Sequence, residues 1–263
     1  MITAYHRPQT IEEALTLLSA PNTRPLGGGT LLSHPGDESF AVVDLQALGL
    51  DKIHKSGDSL EIGATVKLQA LLESPLTPAA LKAAIKLESP LNLRNMGTVA
   101  GTLVTCDGRS PFATVMLALD ANVSISNSTF TIPNSSSPVF GSPSSVLLSS
   151  LLLSRLDLLP GRLITSFEIP LCATLAFETV ARTQDDKPIV CAALARWPSG
   201  RTRLVIGGWG GSPSLALDGT EASGIEAAAR NAAYDSADQW ASAEYRSDVA
   251  AVLARRCLEP LHQ

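Results

Sequence analysis

The sequence predicts an α+β protein in three parts: α/β subdomains over residues 1–56 and 57–171, and a C-terminal α+β domain over 172–263 in which a sheet carries helices. Three observations predict it. Strand-like and helical runs alternate around a glycine turn, Gly27-Gly28-Gly29. A second stretch of small residues, Gly97-Thr98-Val99-Ala100-Gly101-Thr102, precedes an apolar run. After Pro170 the composition shifts to alternating strands and then an Ala-rich tail. A chain of 263 residues can bury two or three such cores.

In chain order, residues 11–18 form an amphipathic helix. Its apolar positions are Ile11, Ala14, Leu15, Leu17 and Leu18, with Thr10 placed to cap it and Glu12 and Glu13 at its positive end. Pro21-Asn22 ends the helix, and residues 24–26 lead as a strand into the glycine turn. A loop at His34-Pro35-Gly36-Asp37-Glu38 precedes strands at 41–45 and 59–62, joined by a polar segment around Lys55-Ser56-Gly57-Asp58. The opening is therefore β-α-β-like. From Thr65 the pattern turns helical, with Val66, Leu68, Leu71 and Leu72 in one short helix and residues 79–87 in another.

Residues 93–104 read as a second small-residue loop, and 113–123 as a buried helix running into a strand. Residues 124–150, rich in Ser, Pro and Asn around Asn134-Ser135-Ser136-Ser137-Pro138, suggest strands with loose turns or a flap. Residues 161–170 alternate as a strand that Pro170 closes. Beyond it, strands fall at 176–183, 189–197 and 203–208, with turns at 184–188 and Ser199-Gly200, and helices at 226–233 and 241–258.

Composition excludes several functions. Apolar residues are 45% and charged residues 17%, the range of soluble globular chains. A net charge of −5 without a basic stripe argues against nucleic acid. No apolar run has the length of a membrane span, since 146–153 is short and holds Ser149 and Ser150. The start, Met1-Ile2-Thr3-Ala4-Tyr5-His6-Arg7, lacks the apolar core of a signal peptide, so a cytoplasmic location is expected. Cys106, Cys172, Cys191 and Cys257 form no C-x-x-C pair, so no metal site is expected and at least three should be buried free thiols. His34 and His54 read as surface residues. Trp197, Trp209 and Trp240 are too scattered to stack on one ligand, and Arg182, Arg201 and Arg203 read as surface charge.

Glycine has no side chain, so its backbone can press against a ligand, and consecutive N–H groups in such a turn make a concave donor array suited to a diphosphate. The same residues serve equally in an ordinary turn. Two small-residue loops facing each other across a long ligand are the arrangement the pattern suggests, with hydroxyls of Thr30, Thr98 and Thr102 as extra donors.

Taken in order, the motifs resemble the FAD-binding medium subunit of the molybdenum hydroxylases, a family that includes the medium subunit of aerobic carbon monoxide dehydrogenase and the FAD domain of xanthine dehydrogenase. Tyr5-His6-Arg7-Pro8 with Ile11-Glu12-Glu13-Ala14 is similar to the family opening. Leu26-Gly27-Gly28-Gly29-Thr30 resembles its first flavin loop, Arg94-Asn95-Met96-Gly97-Thr98-Val99-Ala100-Gly101 its second, and Leu117-Ala118-Leu119-Asp120-Ala121 the helix that follows. Leu163-Ile164 onward to Pro170, then Ile206-Gly207-Gly208 with Pro213, and Ala243-Glu244-Tyr245-Arg246 with Ala254-Arg255-Arg256, continue the likeness to the C-terminal domain.

The resemblance implies the PCMH-type FAD-binding fold, with FAD between the first two subdomains. It implies cofactor-binding residues at Leu26, Gly27, Gly28, Gly29, Thr30, Leu31, Thr98, Ala100, Gly101, Thr102, Asp107 and Ile164, and no catalytic residue or metal ligand on this chain. It further implies an oxidoreductase subunit that takes electrons from a [2Fe-2S] small subunit and passes them through FAD to NAD⁺, dioxygen or a quinone. A molybdopterin-binding large subunit would carry the substrate chemistry, in a heterotrimer or its dimer.

Four positions depart from the family pattern: Ala100-Gly101-Thr102 in place of Gly-Gly-Asn, Leu31 where Asp or Ser is usual, Pro111 where an acid is expected (Asp107 lying close by), and Glu178 where a lysine often lies near the flavin. A scaffold of the same fold with weak or lost FAD binding is the second reading, favoured by Pro111 and Glu178. A small-molecule-binding α/β protein with purely structural glycine turns is the third. The C-terminal half is expected to contact a partner more than FAD.

Overall fold

A computed structural model of the chain describes residues 1–34, 36–127, 144–183, 186–220 and 222–262. The expected segment Asn134–Pro138 and the centre of the expected turn at 184–188 lie outside them.

Strand β1 (Ile2–His6), helix α1 (Ile11–Leu18), strand β2 (Thr23–Leu26) and strand β3 (Phe40–Asp44) make a three-stranded parallel sheet in the order β1-β3-β2. Thr10 caps α1, its hydroxyl oxygen accepting from the Glu13 N–H at 3.2 Å. Ala14, Leu15 and Leu18 are buried with Val43, Leu45 and Leu163. The strand at β1 was not legible in the sequence, because its side chains are mostly exposed and it gains its pairing only from β3.

Strand β4 (Ile53–Ser56) pairs antiparallel with β5 (Ser59–Gly63). The sequence joined the strands at 41–45 and 59–62 through the polar segment at 55–58; the structure leaves β3 in the first sheet and instead pairs β5 with the additional strand β4 in the second. That sheet has the order β4-β5-β8-β6-β7, with β6 (Asn122–Asn127), β7 (Ser144–Leu147) and β8 (Arg162–Pro170). Helices α2 (Leu68–Glu73), α3 (Ala79–Glu88), α4 (Leu91–Met96), α5 (Val99–Thr105), α6 (Pro111–Ala118) and α7 (Leu148–Leu158) fill the intervals. Residues 148–150, expected among loose turns, are therefore the first turn of a helix that runs to Leu158. Leu148, Leu151 and Leu152 pack into the main core, which the serine content hid.

Helix α6 organises the core: all eight of its residues are buried. Each fully buried large apolar side chain there stabilises by about 1.5–3 kcal/mol. On its far side lies an antiparallel sheet in the order β12-β11-β10-β9, from β9 (Thr174–Val180), β10 (Val190–Arg196), β11 (Thr202–Gly207) and β12 (Ser214–Gly219). Ala193, Ala195 and Val205 join the α6 core. Ala192, Leu194 and Leu204 face the other way, toward α8 (Ile225–Ala232) and α9 (Ala243–Leu258). The C-terminal sheet is thus covered on both faces, which is why β10 reads as a nearly unbroken apolar run.

Arg203, expected at the surface, is buried. It binds the Asp120 carboxylate at 3.1 Å, Asp218 at 2.6 Å and the Leu117 carbonyl at 3.1 Å, tying the C-terminal sheet to the end of α6. Arg201 reaches the same two carboxylates at 2.8 and 2.7 Å, and its hydrogen bond holds the Asp218 carboxyl below the usual carboxylate range. Cys106, Cys191 and Cys257 are buried free thiols and Cys172 is exposed. Burial pushes the Cys191 thiol up to about 12.

Candidate functional site

The parallel strands β1, β2 and β3 end together at His6, Leu26 and Asp44. Open parallel sheets bind ligands outside these carboxyl ends. The glycine turn leaves β2 at this edge. Gly29 has φ +71°, which glycine adopts without strain, and the Ser33 N–H donates to its carbonyl at 3.0 Å. Among the described residues, the backbone N–H groups of Gly27, Gly28, Gly29, Thr30, Leu31 and Leu32 donate to no protein acceptor. Six consecutive donors without an acceptor among the described residues are the kind of run that can bind an anion.

The second motif is not a loop. Residues 91–96 and 99–105 are the helices α4 and α5, joined at Gly97-Thr98. Small residues at 97–102 permit a helix as readily as a turn, and Thr98 decides it by capping: its hydroxyl oxygen accepts from the Gly101 N–H at 3.1 Å. The first-turn donors are occupied, with Val99 N–H on the Val66 carbonyl at 2.9 Å and Ala100 N–H on the Ala64 carbonyl at 3.1 Å. The Thr102 hydroxyl donates back to the Thr98 carbonyl at 2.8 Å, which engages its proton within the helix. Arg94 holds α4 in place through Gln69 at 3.0 Å and the Ser89 carbonyl at 2.6 Å.

The two motifs touch. A β-carbon on Gly28 would lie 1.9 Å from the Met96 carbonyl oxygen, and one on Gly27 would lie 2.8 Å from the Thr98 hydroxyl. Lys67 Nζ donates to that same Met96 carbonyl at 2.9 Å, and burial lowers its pKa. The glycines therefore serve a close approach between two protein segments, while their N–H groups stay free.

Beside this contact lies a cleft of about 590 Å³. Its walls are the glycine turn, the α5 residues Ala100, Gly101 and Val104, and the α7–β8 corner from Leu159 to Ile164. Of the residues expected to hold a cofactor, Gly27, Gly28, Gly29, Thr30, Leu31, Thr98, Ala100, Gly101 and Ile164 line it. Leu26, Thr102 and Asp107 do not. Asp107 instead accepts from the Arg109 N–H at 3.0 Å and pairs with Lys187 at 3.3 Å.

Two of the departures are structural. Pro111 is the first residue of α6, and the carboxylate that accepts from Ser110 Oγ at 2.7 Å and from the Phe112 N–H at 3.0 Å is Glu88, whose pKa burial raises. Glu178 lies outside the cleft. On β9 it shares a face with Ala176 and Val180, which pack in the cluster that holds α9.

The cleft also holds residues the sequence reading did not single out. Among the described residues three arginines line it, Arg24, Arg155 and Arg162, and no Asp or Glu does. Arg24 pairs with Glu38 and lies 4.5 Å over the Phe40 ring. Arg155 donates to the Gly211 carbonyl at 2.8 Å. No local pattern marks these arginines, because the corner that presents two of them forms only where the chain turns from α7 into β8. The fit is to a long anionic ligand carrying a diphosphate, as FAD does: free N–H donors and guanidiniums on apolar walls, without a repelling carboxylate. Among the described residues no group of three or more His, Cys, Asp or Glu could hold a metal, and no helix is long and apolar enough to cross a membrane.

Residues 1–172 match the family described as the FAD binding domain in molybdopterin dehydrogenase. The uncharacterized protein YgfM of Escherichia coli K12 is 28% identical over 263 residues, covering 96% of this chain and 94% of that one. The carbon monoxide dehydrogenase medium chain of Afipia carboxidovorans is 26% identical over 284 residues, covering 97% and 95%. In structure, the chain is similar to one in reconstituted CO dehydrogenase from Oligotropha carboxidovorans, with TM-score 0.75, 25% identity and coverage of 97% and 96%.

Proposed function

The chain belongs to the family of FAD-binding domains of the molybdopterin dehydrogenases, and from that premise we propose that it is the flavin-holding electron-transfer subunit of a molybdenum-containing hydroxylase or dehydrogenase. The observation that carries this is the run of free N–H groups from Gly27 to Leu32 in a cleft without a carboxylate. FAD, when bound, supplies the electron chemistry, taking electrons from an iron–sulfur partner and releasing them to an external acceptor. This chain's residues do the rest. The turn's N–H groups hold the diphosphate, Thr98 and the Met96 carbonyl fix that turn from behind, and Ala100, Val104 and Ile164 wall the ligand from water.

The proposed divisions are a first FAD subdomain built on the three-stranded sheet, a second on the five-stranded sheet, and a C-terminal domain on the four-stranded sheet. The proposed partners are a [2Fe-2S] small subunit and a molybdopterin-binding large subunit, in a heterotrimer or its dimer. A relative named as the medium chain of a dehydrogenase supports an assembly of this kind. The substrate pocket then lies on the large subunit.

The scaffold reading keeps one observation in its favour: α5's first-turn N–H groups are spent inside the protein, leaving the glycine turn as the main backbone donor. A titration of the purified chain with FAD, followed by quenching of flavin fluorescence, separates the two. The flavin reading expects saturable binding at one site per chain. Absence of quenching at any FAD concentration, both for the chain alone and when co-expressed with its partners, would leave the scaffold.

A further inference from the structure

Arg162 opens strand β8 at the corner where α7 ends, and its own N–H is fixed by donation to the Leu159 carbonyl at 3.0 Å. Its neighbour Leu163 is buried against α1 and Ile164 in the main core, so both flanking contacts hold the backbone that carries it. Of the cleft's three guanidiniums, Arg24 is paired with Glu38 and Arg155 is tied to Gly211. The Arg162 guanidinium has no hydrogen-bond, ion-pair or ring partner among the described residues. It is therefore a cation whose donors are unspent, in the same cleft as the free N–H run of the glycine turn.

We infer that Arg162 is a positioning residue that pairs with the ligand's diphosphate, so that the cleft selects flavin and adenine nucleotides bearing a diphosphate over riboflavin. The inference rests on the flavin reading above. A guanidinium presents a planar fork that matches phosphate oxygens in pairs, and its charge-assisted bonds are about twice as strong as neutral ones. The backbone array fixes the anion from one side by partial charges only, whereas Arg162 adds a full charge. Among the described residues no carboxylate lines the cleft to compete for that charge.

The test titrates wild type, Arg162→Gln and Arg162→Lys with FAD, ADP and riboflavin, by flavin fluorescence and, for ADP, by calorimetry. Arg162→Gln should weaken FAD and ADP by about ten- to a hundredfold, or about 1.4–2.8 kcal/mol at 1.4 kcal/mol per tenfold, and leave riboflavin unchanged. The variant should also lose part of the salt dependence of FAD binding, and Arg162→Lys should recover part of the affinity. The melting temperatures of all three should agree, since the guanidinium makes no hydrogen bond or ion pair among the described residues. Equal weakening of FAD and riboflavin would assign Arg162 to fold or wall instead, and unchanged affinities would remove it from the site. A wild type that binds riboflavin but not ADP would overturn the diphosphate pairing while leaving a flavin site. A wild type that takes up none of the three would overturn the flavin reading itself, and this inference with it.

Discussion

Gly28→Val is expected to abolish FAD uptake and to destabilise the chain as well. Its β-carbon would lie 1.9 Å from the Met96 carbonyl oxygen, where real β-carbons keep at least 3.0 Å. The obstacle is backbone held by Lys67 and by the α4–α5 junction, so no side chain can swing away. The turn must lift off α5, which scatters the six N–H groups and costs about 3 kcal/mol of packing. At about 2–4 °C per kcal/mol for a chain of this size, the melting temperature should fall by roughly 6–12 °C. Gly36→Val is the control, since a β-carbon there meets nothing within 4 Å. Flavin uptake and melting in Gly28→Val equal to those of the control would mean that the two motifs do not press together in solution.

The second large effect lies away from the cleft. Arg203→Met should cost about 3 kcal/mol, because it takes a buried cation from Asp120 and Asp218 and leaves the Leu117 carbonyl with the Asp120 N–H in place of two donors. Arg201→Met, at the same two carboxylates, should cost only about 1 kcal/mol, because its side chain is 38% exposed and water replaces much of the pairing. Chemical denaturation of both variants measures the difference. Equal losses would show that burial does not set the strength of this network. The contrast bears on function because Arg203 joins the C-terminal sheet to α6, whose preceding segment runs back to α5 and the cleft.

Much of this architecture was legible because local chemistry and tertiary packing agree. Thr10 and the Ile11–Leu18 stripe specify α1, and the apolar run at 113–118 specifies a buried helix, which the structure supplies. The misses have physical causes. Residues 2–6 form a strand only because β3 offers an edge, and helix 148–158 hides among serines whose leucines alone carry the packing. At the site, the glycine turn announced itself by composition. The stretch 97–102 did not disclose that Thr98 would cap a helix and leave no first-turn donor free, because small residues suit a helix start as well as a loop. Arg155 and Arg162 were invisible as site residues: a single arginine carries no pattern until the α7–β8 corner brings it to the cleft. Asp107 was the reverse case, an acid near the right place in sequence that is turned to Lys187 in space.

The central claim, that this fold holds FAD between its first two sheets, is tested most directly by the visible absorbance spectrum of the chain purified with its partner subunits, before and after heat release of bound cofactor. The account predicts the two visible bands of oxidised flavin, passing into the released fraction in about one equivalent per chain, and their loss in Gly28→Val. A colourless assembly that stays colourless after incubation with FAD would contradict it.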